Sequence, residues 1–146
     1  MSKNKVILMV EDNPDDEKLT LLALRKNNIA NEIVVVRNGA DALDYLFAAG
    51  RYAGRDRSQI PAVMLLDIHL PKIDGLEVLR RVREDEQLRR LPVVMLTSSK
   101  EEKDIVDSYN LGANSYVCKP VDFDEFSDAV RQLGLYWLIL NENPPR

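Results

Sequence analysis

The sequence predicts an α/β fold: a doubly wound, five-stranded parallel sheet of (βα)5 type, covered on both faces by helices. Three observations carry this. Short runs of apolar, often β-branched residues recur five times with longer amphipathic stretches between them, which is how doubly buried strands alternate with crossover helices. Capping and turn residues stand at the junctions. The length of 146 residues, 45% of them hydrophobic, suits one domain spanning 1–146 with a sizeable core.

The predicted strands run from Lys5 to Val10, Glu32 to Val36, Ala62 to Leu66, Val93 to Leu96 and Ser115 to Cys118. Asn13 is placed to cap the first helix, with Pro14 at its first position and Asp15, Asp16 and Glu17 favourable against the positive end of its dipole. Asn38 caps the second, which carries Leu43, Leu46 and Phe47 on one face and stops near Gly50. Asp74 with Glu77, and Ser99 with Glu102, have capping-box spacing for the third and fourth helices. Gly112 ends the fourth as a left-handed residue. The fifth starts after Pro120 with Asp122 as its cap and runs to about Leu140, leaving a tail at 141–146. Right-handed crossovers and short loops favour the flavodoxin-like order 2-1-3-4-5, which makes strands one and three neighbours.

In that order, charges gather at one edge of the sheet. Glu11 and Asp12 follow the first strand, Asp67 the third, Thr97 the fourth and Lys119 the fifth. Ligands of open α/β sheets bind at the carboxyl ends of strands. Three carboxylates drawn together would take up protons unless a cation neutralised them. All-oxygen ligands with room for water and phosphate suit Mg²⁺, or Mn²⁺ in its place, better than zinc. Lys119 adds a fixed positive charge and Thr97 a hydroxyl for a phosphate oxygen. The chemistry this suggests is transfer of a phosphoryl group onto Asp67.

Bulk properties exclude other classes. A net charge of −4 and a pI near 5.1 argue against a nucleic-acid binder. One cysteine forms no internal disulfide and one histidine no His-rich metal cluster, which suits a reducing cytoplasm. No apolar run is long enough to span a membrane.

Glu11-Asp12, Asp67 with Pro71 and Asp74-Gly75 downstream, Thr97-Ser98 and Lys119-Pro120 together resemble a receiver domain of a two-component response regulator, over roughly Lys5 to Leu133. The resemblance implies that Asp67 accepts a phosphoryl group from a sensor histidine kinase or a histidine phosphotransfer protein. It implies that Asp12 and Asp67 bind Mg²⁺ by side chain, His69 by its backbone carbonyl, and Glu11 directly or through water. Thr97 and Lys119 would contact the phosphate, and Tyr116 would be the aromatic switch residue that responds to Thr97. A cis Lys119-Pro120 bond is also implied. His69 and Ser99 flank the expected phosphate position, where they would tune water attack and signal lifetime, an exposed bystander role for His69 being the alternative.

Two features go beyond a minimal receiver. The segment Gly50 to Ile60 makes a long approach to the third strand. The last helix carries the stripe Phe123, Phe126, Val130, Leu133, Trp137 and Leu140, and its end from Tyr136 to Leu140 is apolar almost all round. That end either forms a homodimer face, with the fourth helix and fifth strand, or covers its own domain. Both features resemble the small response regulators of bacterial and cyanobacterial phytochromes. The expected function is a phosphorylation-dependent switch read by protein contact, without turnover of an independent substrate. A phosphatase would share Asp67 and the metal, but many need a second acid where His69 stands. A flavin carrier fits poorly, because the first βα loop is acidic and lacks glycine.

Overall fold

The computed structural model describes residues 6–26, 29, 31–119, 124, 125 and 128. Its strands are β1 (Ile7–Val10), β2 (Ile33–Val36), β3 (Val63–Leu66), β4 (Val93–Thr97) and β5 (Ser115–Cys118). Between them lie α1 (Pro14–Lys26), α2 (Gly39–Phe47), α3 (Gly75–Glu84) and α4 (Glu102–Asn110). All strands are parallel, in the order β2-β1-β3-β4-β5, as expected. Asp124, Glu125 and Asp128 are helical. The rest of the expected fifth helix from Asp122 to Leu140, the tail at 141–146, the strand start at Lys5 and the Lys119-Pro120 bond lie outside the described residues.

Alternate residues of each strand feed two cores. Leu8, Val10, Met64, Leu66, Val93 and Met95 face α2 and α3, where they meet Leu43, Leu46, Val78, Leu79 and Val82. Ile7, Met9, Val63, Leu65, Val94 and Leu96 face the other way, toward Leu24 of α1. Strands buried on both sides leave no polar alternation, so they read as continuous apolar runs. Each fully buried leucine contributes roughly 1.5–3 kcal/mol of transfer free energy.

The helix ends follow the sequence with three differences. Asn13 Oδ1 accepts from the N–H groups of Asp15 and Asp16 at 2.9 and 3.1 Å, and Asn38 from Asp41 at 2.8 Å. Asp74 accepts from Glu77 N–H at 3.0 Å, but the Glu77 carboxylate turns to Arg80 and Arg81, so only half the capping box forms. The Ser99–Glu102 box does not form: Glu101 is the N-cap, without a side-chain bond, because Ser99 is still held in the loop. Thr97 lies inside β4, paired with Cys118, one residue beyond the expected strand end. Gly112 has the expected left-handed φ of 101°, and the N–H groups of Gly112 and Ala113 close on the carbonyls of Tyr109 and Ser108.

The segment from Gly50 to Ile60 is strapped onto α2 and α3. Tyr52 packs edge-on against Tyr45 with centroids 5.1 Å apart, and the Arg55 guanidinium lies 4.0 Å over the Tyr45 ring. Arg57 sits 4.7 Å over Phe47 and pairs with Asp85 at the end of α3. This segment enters β3 at its amino end, away from the carboxyl edge.

Candidate functional site

Register places the acids together. Val10 pairs with Leu66 across β1 and β3, so Glu11 and Asp67 leave the sheet at the same level. Their backbone N–H groups extend the sheet one step further, Glu11 to the Val36 carbonyl at 3.0 Å and Asp67 to the Val10 carbonyl at 3.3 Å. Glu11 and Asp67 are buried and Asp12 is exposed. One carboxylate oxygen from each of the three lies within 4.8 Å of the others.

Lys119 closes the group from β5. Its backbone N–H donates to the Thr97 carbonyl at 2.8 Å, which carries the β4–β5 pairing past Cys118. Its Nζ donates to Glu11 Oε1 at 2.7 Å, Asp16 Oδ2 at 2.8 Å and Asp67 Oδ2 at 3.0 Å, and the side chain is only 5% exposed. The other Asp67 oxygen, Oδ1, accepts from the Ile68 N–H at 2.7 Å. Both oxygens are therefore oriented.

Electrostatics follows from this crowding. Two carboxylates within 4.8 Å of each other repel by at least about 3 kcal/mol at an effective dielectric near 20. Burial raises the Glu11 pKa, against the lowering effect of Lys119 and the Asn13 N–H. Burial alone would lower the Lys119 pKa, yet hydrogen bonds to Asp16, Glu11 and Asp67 outweigh it and hold the ammonium above the ordinary lysine value. Among the described residues, the Lys119 ammonium bonds to Glu11, Asp16 and Asp67, and Asp12 adds a fourth carboxylate beside Glu11 and Asp67, a net excess of negative charge. Hard oxygen donors in negative excess fit a divalent cation such as Mg²⁺ or Mn²⁺.

Beside this cluster lies a second chain of contacts. Thr97 is fully buried, and its Oγ1 accepts from the Ser99 N–H at 3.3 Å. The Tyr116 hydroxyl, whose pKa burial raises, donates to the Ser99 carbonyl at 2.8 Å. The His69 ring is 70% exposed, with Nε2 3.5 Å from Asp104 Oδ2.

The structure thus gathers Glu11, Asp12, Asp67 and Lys119 at one point and sets Thr97 and Tyr116 on the adjacent strands β4 and β5, with His69 and Ser99 in the loops that follow β3 and β4. Sequence reasoning missed Asp16 as a partner of Lys119, giving it only a dipole role. The available signal was its place as third residue of α1, whose side chain can turn back toward the strand end.

Chain similarity agrees with this geometry. Response regulator Rcp1 of Synechocystis sp. is 37% identical over 134 residues, covering 92% of this chain and 89% of Rcp1. The probable methanogenesis regulatory protein FilR2 of Methanothrix harundinacea is 39% identical, covering 95% of this chain and 87% of FilR2. Among solved structures, the bacteriophytochrome response regulator RtBRR superposes with a TM-score of 0.84 at 55% identity, over 97% of this chain and 84% of that one. The Mn²⁺-bound form of Rcp1 gives 0.74 at 37%, over 92% and 94% of the two chains. The phosphorylated cyanobacterial phytochrome response regulator RcpA gives 0.75 at 40%, also over 92% and 94%. The family described as the response regulator receiver domain matches residues 7–131, and this chain belongs to it.

Proposed function

We propose that Asp67 accepts a phosphoryl group from the phosphohistidine of a sensor histidine kinase or histidine phosphotransfer protein, and that the phosphorylated domain signals by protein contact. The observation that carries this is the buried Asp67 carboxylate, held by Lys119 at 3.0 Å within the Glu11–Asp12–Asp67 group. An Asp67 oxygen attacks phosphorus as the P–N bond to imidazole breaks, and the imidazole leaves with the electron pair. Lys119 stays within reach of the phosphoryl oxygens and offsets their charge. The Thr97 hydroxyl, at the end of the adjacent strand, turns from Ser99 toward the phosphate, and Tyr116 follows through its bond to the Ser99 carbonyl.

The Glu11, Asp12 and Asp67 carboxylates and the His69 backbone carbonyl would hold a Mg²⁺ or Mn²⁺ ion. When bound, that ion supplies charge neutralisation for the incoming phosphoryl group. The site suits a phosphoacceptor that assists its own phosphorylation and dephosphorylation, working in the cytoplasm without an independent substrate. Among the described residues no helix is long and apolar enough to cross a membrane. Similarity to RtBRR and RcpA supports a phytochrome as the kinase, and the apolar sequence from Tyr136 to Leu140 supports a homodimer through α4, β5 and the helix expected there. His69 and Ser99 flank the acceptor and tune its lifetime.

The test is incubation with Mg²⁺ and acetyl phosphate followed by intact mass. Wild type gains a base-labile phosphoryl adduct and Asp67→Asn does not. Equal labelling of the two removes Asp67 as acceptor, and turnover of unrelated phosphate esters favours a phosphatase.

A further inference from the structure

Asp104 is not explained by the site as described so far. It is the third residue of α4, a position from which an acid ordinarily reaches back to the N-cap N–H. Here that N–H, of Glu101, goes to Ser99 Oγ at 3.3 Å, and Ser99 Oγ donates to Asp104 Oδ2 at 2.6 Å. The same Oδ2 lies 3.5 Å from His69 Nε2, and the Asp104 side chain is 14% exposed. Its backbone is fixed as well, since the carbonyl accepts from Ser108 Oγ at 2.7 Å. One carboxylate oxygen is therefore hydrogen-bonded to the loop after β4, through Ser99, and lies against the loop after β3, through His69. The first of these loops follows Thr97 and the second begins at Asp67.

We propose that Asp104 is a positioning residue for the lifetime of the aspartyl phosphate, holding Ser99 and His69 as a bridge across the water approach to Asp67. This rests on Asp67 being the acceptor. In hydrolysis, a water oxygen bonds to phosphorus and the P–O bond to Asp67 breaks. The carboxylate regains its electron pair, and the water proton passes to solvent as inorganic phosphate leaves. The water must come from the side opposite the breaking bond, and on this proposal its path runs past His69 and Ser99. Releasing the bridge frees both side chains and opens that path, so hydrolysis accelerates.

Adduct formed with acetyl phosphate and Mg²⁺ is freed of donor, and its decay is followed by intact mass in wild type, Asp104→Ala and Asp104→Asn. Loss of the bridging acceptor in Asp104→Ala raises the decay constant about threefold to tenfold. Asp104→Asn keeps an oxygen acceptor for Ser99 and decays within twofold of wild type. In a His69→Ala/Ser99→Ala background, Asp104→Ala adds nothing, because the groups it positions are gone. A merely structural loss at the start of α4 lowers the melting temperature and leaves decay of the folded protein unchanged. The chain has one histidine, so its single imidazole NMR signal reports the bridge without phosphorylation and shifts in Asp104→Ala.

Unchanged decay in Asp104→Ala, an unmoved imidazole signal, or equal decay of the Ala and Asn variants overturns the proposal while leaving Asp67 as acceptor. A wild type that never forms the adduct overturns both.

Discussion

Gly75 opens α3 directly against the loop that begins at Asp67, and replacing it with alanine tests whether that contact sets the proposed acceptor. The Gly75 N–H donates to the Ile68 carbonyl at 2.7 Å. A β-carbon on residue 75 would meet the Asp67 carbonyl oxygen at 1.9 Å and the Ile68 Cα at 2.9 Å. Ordinary contact needs about 3.5 Å, so α3 and the loop would separate by more than 1 Å. Both atoms met are backbone, and no side chain can swing aside. Overpacking of this kind costs roughly 1–3 kcal/mol, which the better helix propensity of alanine offsets by at most about 1 kcal/mol. A misplacement near 1 Å at a reacting group lowers rate by roughly 100-fold. Gly75→Ala is therefore expected to lose up to about 3 kcal/mol by urea unfolding and to label with acetyl phosphate at least tenfold more slowly. An unfolding midpoint and a labelling rate both within error of wild type would refute the idea that close approach of α3 orients Asp67.

Two further changes read other parts of the fold. Lys72 has a φ of 69° in the tight turn closed by the Ile73 N–H on the Pro71 carbonyl at 2.8 Å. Glycine relieves that left-handed strain, so Lys72→Gly is expected to stabilise by up to about 1 kcal/mol in chemical denaturation, and a lower midpoint contradicts this. The Arg57 hydrogen bond chiefly lowers the Asp85 pKa below its ordinary 3.8. A depressed carboxylate contributes stability that is complete above the unfolded value and lost as pH falls through the folded one. Asp85→Asn should thus be less stable than wild type at neutral pH, by under about 1 kcal/mol for so accessible a pair. The difference should close in acid, and a gap that persists there would show that packing, not charge, holds the segment from Gly50 to Ile60.

Strand identity and topology were legible because parallel strands buried on both faces are apolar without interruption, and only a charge or a proline can end them. The runs before Glu11 and Asp67 are of this kind, whereas β5 before Lys119 begins with a serine and is fully buried only at alternate residues. The expected fourth strand ends one residue too early, at Leu96, since the β-branched hydroxyl of Thr97 serves equally well as the last strand residue or the first of a turn. The Ser99–Glu102 spacing failed as a capping box because it specifies what a serine can reach along its own chain, and here the Ser99 hydroxyl found Asp104 instead.

From the sequence alone came the acidic strand ends, the proposed acceptor Asp67 and its lysine, because burial of a sheet forces its charges to the ends of the strands. Tertiary structure alone decided that Asp16 shares Lys119, that Asp104 stands between His69 and Ser99, and that Gly75 lies against the Asp67 carbonyl. Those contacts depend on how far a helix sits from a strand end to within about an ångström, a distance set by side-chain packing across the core and not by any local pattern.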